Sequence, residues 1–173
     1  MDERIVRVAG IVEDSTTDGP GFRMAIFAQG CFHDCEGCHN PKTHPLEWGT
    51  PYTVADLQHR FTASAPHLAG LTLSGGEPFL QASPLAAIAR TAHELGRDVM
   101  TYTGYTYEAL LRLGEKDAGI TDLLRETDVL VDGPFLLAHR DLSATYRGST
   151  NQRILKLVAG SVDLEADITA ELS

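Results

Sequence analysis

The order of elements expected from this sequence makes the chain an α/β protein, a partial, open-sided (β/α) barrel with a mostly parallel sheet of five to six strands. Short apolar, β-branched segments alternate with segments of helical spacing, the pattern of βαβ units. At 173 residues the chain is well short of the ~250 that a closed eight-unit barrel takes. Glycine- and proline-rich turns follow the expected strands, and in such folds ligands sit beyond the carboxyl ends of the strands. With 43% hydrophobic and 22% charged residues, disorder is excluded and residues 1–173 fit one domain.

Strands are expected over Ile5–Val12 and Phe22–Gln29, with Asp18-Gly19-Pro20-Gly21 turning the chain between them. Gly30 leads into a cysteine loop, and Pro41, Pro45, Gly49 and Pro51 predict an irregular segment after it. Thr53, with Asp56 three residues on, reads as the cap of a helix reaching about Phe61. Leu71-Thr72-Leu73 is a short buried strand ending in Ser74-Gly75-Gly76-Glu77-Pro78. Ser83-Pro84 predicts a second helix start with Ser83 as cap. Leu85, Ile88, Ala89, Ala92 and Leu95 follow at helical spacing, and Gly96 is the stop. Asp98–Thr103 is the next strand, and Thr106 caps a helix carrying Leu110, Leu111 and Leu113 that ends at Gly114. A short helix over Thr121–Arg125 and strands over Asp128–Asp132 and Arg153–Val158 complete the pattern. The tail Val162–Ser173 reads as a peripheral helix or loose end. The cysteine loop, the Gly-Gly turn and the turn after Thr103 all follow strands, so they are expected to converge on one edge of the sheet.

A formal net charge of -10 argues against general affinity for nucleic acid or anionic membranes, both of which attract positive surfaces. No apolar run approaches the roughly 20 residues of a membrane span. The opening Met1-Asp2-Glu3-Arg4 has no apolar signal core, so the expected location is the cytoplasm, where thiols stay reduced.

Cys31, Cys35 and Cys38 lie within eight residues and are the chain's only three cysteines. An odd number excludes a fully paired disulfide framework. Three thiolates can hold zinc with a fourth ligand from His33, His39 or His44, or three irons of a four-iron cluster with one iron left open. Spacing alone leaves both readings standing. The two glycines of Ser74-Gly75-Gly76-Glu77-Pro78 admit a ligand close to the backbone, and Glu77 adds a carboxylate suited to an ammonium group. Arg23, in a strand just ahead of the metal loop, suits a carboxylate partner. The donor-rich segment Tyr146–Arg153 reads from composition as a solvated loop. His59, His67, His93 and His139 read as surface residues, and Trp48 and the tyrosines near Tyr102–Tyr107 as packing.

Taken together these motifs resemble a known family. Cys31-x3-Cys35-x2-Cys38 followed by Gly75-Gly76-Glu77-Pro78 resembles the radical S-adenosylmethionine (SAM) superfamily. Asp18-Gly-Pro-Gly-x-Arg23 narrows the resemblance to glycyl-radical-enzyme activases. Thr103-Gly-Tyr-Thr106, Asp128-Val-Leu-Val-Asp132-Gly-Pro-Phe135 and Arg147-Gly-Ser-Thr-Asn-Gln-Arg153 are similar to the anaerobic ribonucleoside-triphosphate reductase activating proteins. The match runs from about Ile11 to Leu157, and together these motifs disfavour zinc.

The resemblance implies a radical SAM domain whose three cysteines ligate a 4Fe-4S cluster, with SAM chelating the open iron. It implies cofactor contacts at Gly37 and His39 near the adenosyl group, at Gly75, Gly76 and Glu77 near the amino acid part, and at Asp132. An external one-electron donor such as flavodoxin or ferredoxin would reduce the cluster. Reductive cleavage of SAM would then yield a deoxyadenosyl radical that takes hydrogen from a glycine of an anaerobic ribonucleotide reductase. Gly133-Pro134-Phe135 lacks the lysine, and Thr101–Thr103 the aspartate, of the pyruvate formate-lyase activases, so those contacts do not carry over. The absence of further cysteines disfavours auxiliary clusters. The alternatives are a single-cluster radical SAM enzyme acting on another glycyl radical enzyme, a peptide or a metabolite, and a structural zinc module.

Overall fold

A computed structural model describes residues 1–33, 35–38, 41–141, 143 and 146–163. Eight strands form one sheet: β1 (Ile5–Ser15), β2 (Arg23–Ala28), β3 (Thr50–Thr53), β4 (Gly70–Gly75), β5 (Asp98–Tyr102), β6 (Val129–Asp132), β7 (Arg153–Val158) and β8 (Ser161–Val162). Their order is β3-β1-β2-β4-β5-β6-β7-β8, which leaves the sheet open. The ladders β2–β4, β4–β5 and β5–β6 are parallel. Antiparallel pairs flank them, β3–β1–β2 on one side and β6–β7–β8 on the other. The expected α/β architecture with an open sheet is present. Its parallel part is the central four strands, and the strands number eight instead of five or six.

The two additional strands have a physical origin. β3 contains Pro51, part of the segment expected to be irregular, but it pairs only with β1 and so lies at the sheet edge. At an edge, a missing N–H can face outward without breaking a ladder. β8 is two residues that fold back on β7 across Ala159 and Gly160, both at positive φ. Of the expected tail Val162–Ser173, only Val162 and Asp163 lie within the described residues.

Among the described residues there are four α-helices: α1 (Val54–Ser64), α2 (Ala82–Glu94), α3 (Tyr107–Gly114) and α4 (Ala118–Arg125). The caps read from the sequence form where local chemistry dictates them. Thr53 Oγ1 accepts from Asp56 N at 3.0 Å, Thr106 Oγ1 accepts from Ala109 N at 3.2 Å, and Gly96 takes φ +72°. Ser83 is not a cap. A 3₁₀ turn over Pro78–Gln81 runs directly into α2, so the helix begins at Ala82 and the Ser83 hydroxyl accepts instead from Arg4 at 2.8 Å.

Strand register sorts the side chains into two faces. Ile26, Leu73, Thr101 and Leu130 lie side by side across the parallel strands. Ile26, Leu73 and Leu130 join Leu57, Phe61, Leu85, Ile88, Leu110 and Leu123 from the four helices in one buried core. Such large apolar side chains contribute about 1.5–3 kcal/mol each on burial. The opposite face carries Ala25, Thr72 and Met100 in register. It is covered by the Asp18–Arg23 turn, where the Asp18 carbonyl accepts from Thr72 Oγ1 at 2.7 Å. Arg23 is only 1% exposed. It donates to Thr72 Oγ1 at 2.8 Å, to Leu71 O at 3.0 Å and to the Asp98 carboxylate, the partner expected for it.

His93, in the last turn of α2, ties three elements together instead of standing alone on the surface. Its ring nitrogens lie 2.7 Å from both Glu126 and Asp128, and Asp128 also accepts from Val99 N at 2.8 Å. Burial opposes its charge, but the hydrogen bonds to Asp128 and Glu126 outweigh this and hold its pKa above the usual 6.5. A raised folded-state pKa stabilises fully below the unfolded value and fades as pH rises through the folded one. The melting-temperature gap between wild type and His93→Gln is therefore largest below the ordinary histidine value of ~6.5 and narrows as pH rises through the raised folded-state value. Thermal melts followed by circular dichroism check this, and a gap independent of pH refutes it.

Candidate active site

The carboxyl ends of β2, β4, β5 and β6 surround a cavity of about 460 Å³, within the range of small-ligand pockets. Cys31, Cys35 and Cys38 line it together with Phe27, Gly75, Gly76, Tyr102, Thr103 and Gly133. The expected convergence of the cysteine loop, the Gly-Gly turn and the turn after Thr103 is what the fold produces.

Backbone hydrogen bonds fasten the base of the cysteine loop on both sides. Gly30 N donates to Thr43 O at 2.6 Å and Cys31 N to His44 O at 3.1 Å. From the other side Gly76 N donates to Ala28 O at 2.8 Å and Glu77 N to Gly30 O at 2.7 Å. The glycines are required by this crossing. A Cβ on Gly76 would lie 2.3 Å from Gly30 O and 2.9 Å from Thr43 O, and one on Gly75 would lie 2.5 Å from Ala28 N. The space freed by the missing side chains is thus filled by the protein's own backbone, while both residues still line the cavity. Gly76→Ala is expected to cost about 3 kcal/mol, because the clashing atoms are backbone and cannot rotate away. Chemical denaturation measures it, and wild-type stability would refute the crossing.

Glu77 is fully buried and does not line the cavity. Its Oε1 accepts from His33 Nε2 at 2.6 Å, Thr103 Oγ1 at 2.8 Å and Gly104 N at 2.8 Å, and its Oε2 accepts from Phe79 N at 3.0 Å. His33 stands between Cys31 and Cys35 and packs edge-on against Tyr105, ring centroids 4.5 Å apart. One carboxylate thereby joins the cysteine loop, the Gly-Gly turn and the end of β5. The sequence offers His33 as a zinc ligand and Glu77 as an ammonium ligand; here Nε2 and the carboxylate hold each other. Glu77→Gln turns an amide N–H₂ toward donors and is expected to destabilise by about 3 kcal/mol, with Glu77→Asp losing less. Equal denaturation midpoints for wild type and Glu77→Gln would refute this network.

The three cysteines are half-buried. Burial, followed by Glu77 and the other two thiols, pushes the Cys31 thiol up to about 11, so it is protonated at neutral pH and loses its proton on metal ligation. Among the described residues, no three His, Cys, Asp or Glu draw together closely enough to hold a single metal ion. The three thiols all line the cavity, and an all-sulfur donor set suits iron–sulfur ligation.

The remaining expected residues fall in different places. Gly37, at φ +72°, packs toward the loop after β6, where its added Cβ would meet Leu137 Cδ1 at 2.8 Å. His39 lies outside the described residues. Asp132 is fully buried and accepts from Tyr107 N at 2.7 Å and Arg153 Nε at 2.9 Å, so its carboxylate faces the start of α3 and β7. Its neighbour Gly133 reaches the cavity. Residue-type reasoning gave Thr103 and Gly104 no role, and their signals were a place at the end of a strand and the resemblance of Thr103-Gly-Tyr-Thr106 to the activating proteins. It also set aside Tyr146, Arg147, Gly148 and Gln152, which line the cavity, as a solvated loop.

The family model described as "4Fe-4S single cluster domain" matches residues 17–155. The anaerobic ribonucleoside-triphosphate reductase-activating protein of Salmonella typhi is 37% identical over 146 residues, covering 78% of this chain and 88% of that protein. The chain belongs to this activating-protein family. The Escherichia coli K12 member is 34% identical over 142 residues, covering 78% of this chain and 88% of its own. The phage T4 member is 32% identical over 145 residues, covering 79% and 85%. The crystal structure of QueE from Escherichia coli covers 59% of this chain and 53% of that one, with 16% identity and a TM-score of 0.46, and the assignment rests on the sequence relatives instead. Among the described residues of this activating protein, no helix is long and apolar enough to cross a membrane.

Proposed function

We propose that residues 1–173 act as a single radical SAM domain that installs a glycyl radical on an anaerobic ribonucleoside-triphosphate reductase. Cys31, Cys35 and Cys38 would hold a 4Fe-4S cluster in this reading, and Gly75, Gly76, Gly37 and His39 would lie along the SAM site. Glu77 contributes by fixing the cysteine loop, and Asp132 by anchoring the loop that begins at Gly133. The observation that carries the reading is the shared cavity of the three thiols and the Gly75-Gly76 backbone, in a chain similar over most of its length to proteins named as reductase activators.

Held by Cys31, Cys35 and Cys38, a cluster with SAM would supply the one-electron chemistry at the sulfonium from which hydrogen abstraction at a glycine would start. The chain's own residues provide the geometry. β2 delivers the cysteine loop, and the Glu77–His33 contact sets its position against the Gly-Gly turn. The sheet does not close, which favours entry of a loop from a large partner protein. A cytoplasmic one-electron donor such as flavodoxin or ferredoxin completes the proposal.

Anaerobic reconstitution is expected to give a brown protein with about four irons that cleaves SAM on reduction. Alanine at any one of the three cysteine positions abolishes cleavage. Mixing the wild type with an anaerobic reductase produces a glycyl radical signal in electron paramagnetic resonance. A colourless protein holding one zinc, or SAM cleavage with no radical on the reductase, overturns the proposal.

A further inference from the structure

The donor-rich segment before β7 holds another loop in place. Gln152 Oε1 accepts from Gly148 N at 2.8 Å and Ser149 N at 3.1 Å, which gathers the segment into a turn. That turn fastens the loop after β6. Gln152 Nε2 donates to Gly133 O at 3.1 Å, Asn151 Nδ2 to Pro134 O at 2.9 Å and Thr150 N to His139 O at 2.8 Å. The hydroxyl of Ser149, a fully buried residue, accepts from Leu136 N at 3.3 Å.

The loop so held reaches the cysteine loop through apolar groups. Phe135 lines the cavity with the three thiols. A Cβ added to Gly37 would come within 2.8 Å of Leu137 Cδ1 and 3.5 Å of Phe135 Cε1, so the missing side chain leaves the room that Leu137 takes. Gly37 stands between Cys35 and Cys38, in the half of the loop that turns on itself through Cys38 N donating to Cys35 O at 3.1 Å. The other half is already fixed, by the backbone at Cys31 and by Glu77 at His33. Leu137 is 43% exposed and lies outside the buried core, so the fold itself depends little on it.

We infer that Leu137 is a positioning residue for the metal centre: it packs on Gly37, holds the Cys35–Cys38 half of the cysteine loop in place and screens its thiols from water. This rests on the proposed function, because it takes a 4Fe-4S cluster to be what the thiols hold. Ser149, Asn151 and Gln152 act through Leu137 by anchoring its loop. An apolar side chain suits that place. It brings no competing hydrogen-bond donor to the sulfurs, and surroundings of low polarity disfavour the added negative charge of a reduced cluster, which lowers its potential.

Two measurements on reconstituted, cluster-loaded protein test this: the rate of iron loss to a chelator, and the midpoint potential of the cluster. Leu137→Ser is expected to lose iron about 10-fold faster and to have a more positive potential, while Leu137→Met stays near wild type in both. A measurable potential in the variant also reports a folded, loaded site. Gly37→Ala, whose Cβ displaces Leu137, is expected to speed iron loss as well, and the double variant Gly37→Ala/Leu137→Ala to lose iron more slowly than the product of the two separate effects. Unchanged iron loss and potential in Leu137→Ser, or independent effects in the double variant, overturn the inference and leave the proposed function standing. Wild type that takes up no iron–sulfur cluster overturns both.

Discussion

A carboxylate with no exposure to solvent must find its donors within the protein, and at Glu77 they come from four positions: His33, Phe79, Thr103 and Gly104. The rest of the site depends on this constraint. His33 belongs to the cysteine loop, Phe79 to the turn leading into α2, and Thr103 and Gly104 to the segment following β5. Ionised carboxylates accept and never donate, so these four donors can be gathered by no neutral side chain of the same shape. The network therefore sets where the thiols stand relative to the Gly-Gly backbone, although Glu77 itself does not line the cavity.

The sheet makes that arrangement possible. Parallel register places Ile26, Leu73 and Leu130 on the helix-covered face and leaves Phe27, Ser74 and Tyr102 for the other. The ends of four parallel strands then open on a common rim, where each following loop has its backbone to offer. Antiparallel strands extend the sheet on both sides and leave it unclosed.

Features governed by neighbours in sequence were legible in advance. The helix caps at Thr53 and Thr106, the stop at Gly96 and the strand Arg153–Val158 follow from local hydrogen-bonding and steric preferences. The three cysteines and the Gly-Gly turn were legible because few roles suit such residues at strand ends. Strand β3 was not, since Pro51 is tolerated only by virtue of an edge position that the local sequence does not reveal. Ser83 lost its capping role to the turn that precedes α2. His93 looked like a surface residue because Glu126 and Asp128 lie more than thirty positions away in the chain.

By itself, then, the sequence determined the α/β class, the thiol donor set and the glycines on which the site is built, because these follow from residue type and short spacing. Only the tertiary structure decided where Glu77 and Arg147 stand. Glu77 points inward to His33, and Arg147 lies in the wall of the cavity with an unpartnered Nε. Both outcomes depend on which distant backbone and side-chain groups a fold brings within hydrogen-bonding distance, and local composition carries no record of that.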